Sequence, residues 1–155
     1  MICILDANVL LRIADPTAVQ HLTAVSGVNS LANLGLTPQT IPQSIFEFWV
    51  VATRPIDKNG LGLSTIDCEK TVAQLIETFP VINDSPSLFL EWLELVATFQ
   101  CQGKVAHDAR YVAAMRAHKI KHFLTFNITD FARYEDLIVL DPNALANSKS
   151  QSGLS

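Results

Sequence analysis

The residues that could do chemistry in this 155-residue chain are four carboxylates, Asp6, Glu47, Asp108 and Asp130. Asp6 closes the apolar run Ile2 to Leu5. Glu47 interrupts the apolar stretch around Phe46, Trp49 and Val50. Asp108 and Asp130 fall near the two ends of AHDARYVAAMRAHKIKHFLTFNITDF. Singly, each has a bland explanation. Asp108 can be a first-turn acid at the positive end of a helix, and Asp130 the N3 acid of a capping box opened by Asn127, worth roughly 0.3 to 1 kcal/mol apiece. Glu47 can lie on the one wet strip of its helix, with Ser44, one turn earlier, as its only local hydrogen-bond partner. Together they demand more. Two carboxylates about 4 Å apart repel by about 4 kcal/mol at an effective dielectric of ~20, more than a helix dipole returns. A convergent set must take up protons or bind a cation. Oxygen donors with no His or Cys at ligand spacing favour Mg²⁺ or Mn²⁺ over zinc.

Convergence needs a fold that carries four distant segments to one edge. Ile2 to Leu5 suits a central strand buried on both faces. Residues 7 to 14 read as a helix, and Pro16 opens a second that runs to about Asn33 and stops at Gly35. Leu36 to Ile41 is a second strand, and Pro42 fits the first turn of an apolar helix carrying Glu47. The loop RPIDKNGLGLS follows, its Arg54 and Lys58 placed to touch a phosphate backbone or only water. Thr65 caps a helix to Phe79, and Ser85 caps another from Pro86 to Gln100. The 3.6-residue pattern then predicts a helix over 107–118, with Arg110 on its polar side and Asp108 at its start. His122 to Phe126 and Leu137 to Leu140 read as strands.

Alternating strands and helices predict an α/β protein of three layers, α/β/α, around a mainly parallel sheet. In such a sheet Asp6, Asp108 and Asp130 reach the carboxyl ends of the strands, where ligands bind. The length allows one domain, read as 1–142, with 143–155 a polar, flexible tail.

Composition narrows the function. The chain is 49% hydrophobic and 17% charged with a net charge of −4, which argues against a basic protein that coats nucleic acid. Six of the eleven Lys and Arg residues nevertheless fall between Lys104 and Arg133, either a local basic surface or a solvated helix face. Cys3, Cys68 and Cys101 are odd in number, far apart and without metal-ligand spacing, so they read as reduced thiols of a cytoplasmic protein. No signal peptide or membrane span is expected.

The motifs LDANVLLR, SIFEFWVVATRP, AHDARYVAAM and HFLTFNITDFARYEDLIVLDP, in that order and spacing, resemble the PIN domain, and most closely the VapC-like toxin ribonucleases. The resemblance runs from Ile2 to about Pro142. Asp6, Glu47 and Asp108 match the family's first three acids. Asn8 matches the polar residue after the first, and Thr125, Asn127 and Asp130 match the final polar and acidic group. The resemblance implies a Mg²⁺- or Mn²⁺-dependent endoribonuclease. Asp6, Asp108 and Asp130 would hold the metal, Glu47 would hold or deprotonate the attacking water, and Asn8, Ser44, Thr125 and Asn127 would orient these groups. It implies a homodimer and a small antitoxin covering the acidic cleft. A haloacid-dehalogenase-type phosphotransferase would need a second Asp where Asn8 stands, and a receiver domain would need paired acids at the N-terminus. The alternative from another class is a non-catalytic module that binds RNA or protein through the same cleft.

Overall fold

The computed structural model describes the backbone of residues 1–152 and the side chains of residues 1–148. Its centre is β1 (Ile2–Leu5), flanked by β2 (Thr37–Gln39) and β3 (His122–Leu124), with β4 (Ile138–Leu140) outside β3. All three pairings are parallel, in the order β2-β1-β3-β4. Register sets Leu5 opposite Leu124, so the chain leaves β1 and β3 side by side at the same edge. Asp6 follows the one and Thr125 the other, and the Asp6 N–H donates to the Leu124 carbonyl at 3.0 Å.

Strand residues alternate between two cores, as a sheet covered on both faces requires. Cys3, Leu5 and Leu124 face one cluster, built with α1 (Ala7–Ala14), α2 (His21–Ser30), α3 (Pro42–Thr53) and α4 (Thr65–Thr78). Ile4 and Phe123 face the other, built with α5 (Leu88–Thr98) and α6 (Lys104–Ala117). Helix α7 (Ile128–Phe131) is a single turn after β3 that adds Phe131 to the second core. The expected three-layer α/β/α architecture is present, with a wholly parallel sheet.

Several boundaries differ from the sequence reading. Helix α2 starts at His21 rather than Pro16, because Asp15 Oδ1 accepts from the Thr17 N–H (3.0 Å) and hydroxyl (2.6 Å) and holds the intervening chain in a turn. Ser64, not Thr65, caps α4 by accepting from the Asp67 N–H at 3.1 Å, and α5 starts at Leu88, past Ser85 and Pro86. Helix α6 starts at Lys104, three residues before the expected boundary, so Asp108 lies beyond the first turn and the helix dipole gives it little.

Where the sequence reading placed a polar tail from residue 143, Pro142–Ser152 form α8. Asp141 starts it, its side chain accepting from the Asn143 N–H at 2.9 Å and its carbonyl from the Leu145 N–H at 3.1 Å. Leu145 packs on the first core. Gly27 of α2 admits the close approach of Pro142, since a Cβ there would sit 3.1 Å from the proline. Residues 153–155 of that tail lie outside the described residues.

Candidate active site

The carboxyl edge of the sheet opens into a cleft of about 490 Å³ lined by Asp6, Asn8, Glu47, Asp108, Tyr111 and Asn127, with Arg54 and Lys104 among its other walls. Asp6 is almost wholly buried, one residue past β1. Its Oδ2 accepts from the Thr125 hydroxyl at 2.7 Å. Thr125 is the hub of this corner: its Oγ1 also accepts from Asn8 Nδ2 at 3.2 Å and from the Asn127 N–H at 3.0 Å. Asn8 Oδ1 in turn accepts from the Phe126 N–H at 3.3 Å, which ties α1 to the end of β3. Burial is the main reason the Asp6 carboxyl is pushed up to about 6. The Thr125 hydroxyl opposes that rise and the neighbouring charge of Glu47 adds to it.

Glu47 projects from α3 against α6. Its Oε1 accepts from Gln43 Nε2 at 3.0 Å and lies 3.5 Å from His107 Nε2, and its Oε2 accepts from the Tyr111 hydroxyl at 2.9 Å. Gln43 and Glu47 are one turn apart on α3, as His107 and Tyr111 are on α6, so the two helices meet through a matched polar seam. Burial first, then the charges of Asp6 and Glu47, hold the Tyr111 phenol well above its ordinary value of 10.0, so it stays a neutral donor.

Asp108 is half-buried on the same side of α6. Burial raises its carboxyl, Lys104 opposes the rise, and Asp130 and Glu47 add to it. The field of Asp130 thus reaches Asp108, although Asp130 does not line the cleft itself. Among the described residues, no three His, Cys, Asp or Glu side chains stand close enough to enclose an ion as they are placed. The donor set fits a hard cation by its chemistry, with oxygen donors of one charge, two of them raised by burial and further by their neighbours' charge.

The structure brings Asp6, Glu47 and Asp108 together with Asn8 and Asn127, and it hangs Thr125 behind Asp6. Other expected placements fail. Ser44 does not touch Glu47: its buried hydroxyl donates to the Leu5 carbonyl at 2.8 Å and accepts from the Ile41 N–H at 3.4 Å, pinning α3 to β1. Arg110 faces away from the cleft, its Nη2 on Asp84 at 2.8 Å and its Nη1 on Gln43 Oε1 at 3.3 Å. Lys58 is exposed and outside the cleft lining, whereas Arg54 lines it. The Asn127 side chain makes no capping bond to α7.

Sequence reasoning missed Gln43, His107, Tyr111 and Lys104. Tyr111 falls on the apolar side of the 3.6-residue pattern of α6, yet a buried tyrosine hydroxyl needs a partner, and Glu47 in its apolar stretch is the signal that could have supplied it.

A three-layer α/β domain with an acidic cleft at the carboxyl edge of a parallel sheet is thus defined by its own geometry. No family model and no curated protein matches the sequence. Solved structures match in fold. VapBC2 from Rickettsia felis, solved bound to a DNA fragment from its promoter, gives a TM-score of 0.66 at 15% identity, over 91% of this chain and 98% of that one. VapBC-1 from nontypeable Haemophilus influenzae gives 0.68 at 15% identity, over 92% and 98%. VapC20 of Mycobacterium tuberculosis, a toxin that cleaves the sarcin–ricin loop, gives 0.62 at 17% identity, over 85% and 95%. The chain therefore has the PIN-like α/β/α fold of these VapC structures.

Proposed function

We propose that the protein is a metal-dependent endoribonuclease and the toxin of a type II toxin–antitoxin pair. The observation that carries this reading is the convergence of Asp6, Glu47 and Asp108 on one cleft, where burial first and neighbouring like charge second raise the Asp6 and Asp108 carboxyls, on the fold of VapC toxins. Asp6 and Asp108, with Asp130 beside them, would hold Mg²⁺ or Mn²⁺. Such an ion supplies Lewis acidity toward a phosphodiester and charge neutralisation in the transition state. Glu47 takes the proton of the attacking water. Thr125 and Asn8 hold Asp6 in place, and Asn127 also lines the cleft. Arg54 and Lys104 bind flanking phosphates of the RNA at the cleft rim.

The partners follow from the same surface. A further solved structure of this fold, from Klebsiella pneumoniae, is a toxin–antitoxin complex, and an antitoxin presenting a basic side chain to this acidic cleft would block it. Exposed Phe46 and Val50 on α3, and Phe89, Leu90 and Leu93 on α5, give apolar surface for the antitoxin and for a homodimer. No helix among the described residues is long and apolar enough to cross a membrane.

The test is cleavage of short single-stranded and hairpin RNAs by pure protein with Mg²⁺, with Mn²⁺ and with chelator. Cleavage only with metal supports the reading. Cleavage in chelator contradicts the metal mechanism. Binding without cleavage in any metal would make the protein a binding module of the same fold.

A further inference from the structure

Tyr111 is not one of the acids the cleft chemistry requires, yet its hydroxyl ties one of them, Glu47, to the turn that carries another, Asp6. The side chain is 1% exposed, and its ring is fixed between Phe123 (centroids 5.2 Å apart) and Phe131 (6.4 Å). A phenol has one proton to give. Here that proton goes to Glu47 Oε2 at 2.9 Å, while the oxygen accepts from the N–H of Ala7, the residue after Asp6, at 3.3 Å. The phenol is thus a strut of fixed length between the Glu47 carboxylate and the turn that carries Asp6.

The opposite oxygen of Glu47 is held as firmly. Gln43 Nε2 divides its two N–H bonds between Glu47 Oε1 and the His107 carbonyl, at 3.0 and 3.1 Å. Its own Oε1 receives Arg110 Nη1 at 3.3 Å, and Arg110 is anchored on Asp84. The amide cannot turn over without setting its NH₂ group against the guanidinium. Glu47 needs such a clamp. Its side chain has three rotatable bonds, one side of it is open to water, and the like charge of Asp6 pushes it outward. Phenylalanine at 111 would fill the same volume but leave Oε2 without its donor.

We propose that Tyr111 is the positioning residue of Glu47, acting with Gln43 to hold both oxygens of the base at a fixed place beside Asp6. The proposal rests on the nuclease reading of the cleft, because it assigns Glu47 the role of base. Tyr111 touches neither water nor RNA in this role. Its effect is to keep the carboxylate aimed, since displacement of a reacting group by about 1 Å can cost about a hundredfold in rate.

The experiment compares parent, Tyr111→Phe, Glu47→Gln and the double variant in steady-state RNA cleavage with Mn²⁺, beside crystal structures of parent and Tyr111→Phe. The expected result for Tyr111→Phe is a fall in kcat of about 30-fold, with KM changed less than about twofold, because only the approach to the transition state is affected. In the Glu47→Gln background the same substitution costs less than about twofold, since the group it positions is gone. In the crystal, Glu47 leaves Ala7 and Asp6 and turns toward solvent. Losses that multiply in the double variant would overturn the proposal, by showing that Tyr111 serves the Asp6 turn or the core instead. So would a Tyr111→Phe structure with Glu47 unmoved. If the parent cuts no RNA with any metal, the nuclease reading falls, and the position of Glu47 in the two crystals still decides whether Tyr111 sets it.

Discussion

The two halves of the cleft are built differently. Asp6 and Glu47 belong to a rigid half: Thr125 holds one carboxylate, Gln43 and Tyr111 hold the other, and the Asp6 turn grows out of the central strand. Asp108 and Asp130 belong to a loose half. Both are only half-buried, no hydrogen bond among the described residues fixes either side-chain carboxylate, and they meet through charge rather than contact. On the proposed nuclease reading, this arrangement would preorganise Glu47 and Asp6, where small errors of position cost most, and would leave Asp108 and Asp130 free to close on a cation. Repulsion in the rigid half is tolerated because its groups are bonded. In the loose half it is relieved by exposure.

This contrast predicts unequal losses. Asp6→Asn should lower metal-dependent RNA cleavage by about 10³-fold or more, since each 1.36 kcal/mol added to the barrier costs tenfold and no neighbour can replace a ligand fixed to β1. Asp130→Asn should cost about 10- to 30-fold, because that residue lies outside the cleft lining and water can stand in for it. Initial rates at saturating Mn²⁺ check both, and equal losses would erase the distinction between the halves.

The third expectation concerns stability without metal. The Asp6 carboxyl is raised to about 6 in the folded protein, against about 3.9 in an unfolded chain. At low pH both states are protonated and the group is neutral in the balance. As pH rises from about 4 to about 6, the unfolded chain ionises first and stability falls. Above about 6 the full penalty, about 3 kcal/mol, is present. Asp6→Asn should remove it. Urea melts in chelator at pH 7 should show the variant more stable than the parent, with the gap closing by about pH 4, and a less stable variant at pH 7 would refute the buried-charge account.

A smaller effect separates structural polar groups from those of the site. Ser44→Ala should cost about 1 to 2 kcal/mol, because the buried hydroxyl bridges Leu5 and Ile41. It should leave cleavage per folded molecule within about threefold of the parent, as read from rates normalised to the folded fraction.

What the sequence made legible depended on range. The strand Ile2–Leu5 and the helix Ala7–Ala14 are local patterns with sharp ends, and both were readable to the residue. Asp6, Glu47 and Asp108 were readable as neighbours because the strand ends and the helices around one edge of a parallel sheet restrict where they can go, whereas Asp130, expected in the same cleft, lies outside its lining. Partners were not readable, because they depend on which helix faces which. Ser44 is one turn from Glu47 yet points to β1, while Tyr111, 64 residues away, reaches it. Arg110, counted among surface cations, is turned inward by Asp84. Helix α8 was hidden for a related reason: its sequence is polar, and it is held by the Asp141 cap, by Leu145 and by a gap at Gly27 that only the fold reveals.

The most direct test of the central claim, that these acids form one cation site, is calorimetric titration of the RNA-free protein with Mn²⁺. The account predicts binding to the parent, at least about tenfold weaker in Asp6→Asn and in Asp108→Asn, because each loses an anionic oxygen ligand, and a smaller change in Glu47→Gln. Unchanged Mn²⁺ affinity in Asp6→Asn, or no binding to the parent at millimolar Mn²⁺, a concentration corresponding to only about 4 kcal/mol of affinity, would contradict it.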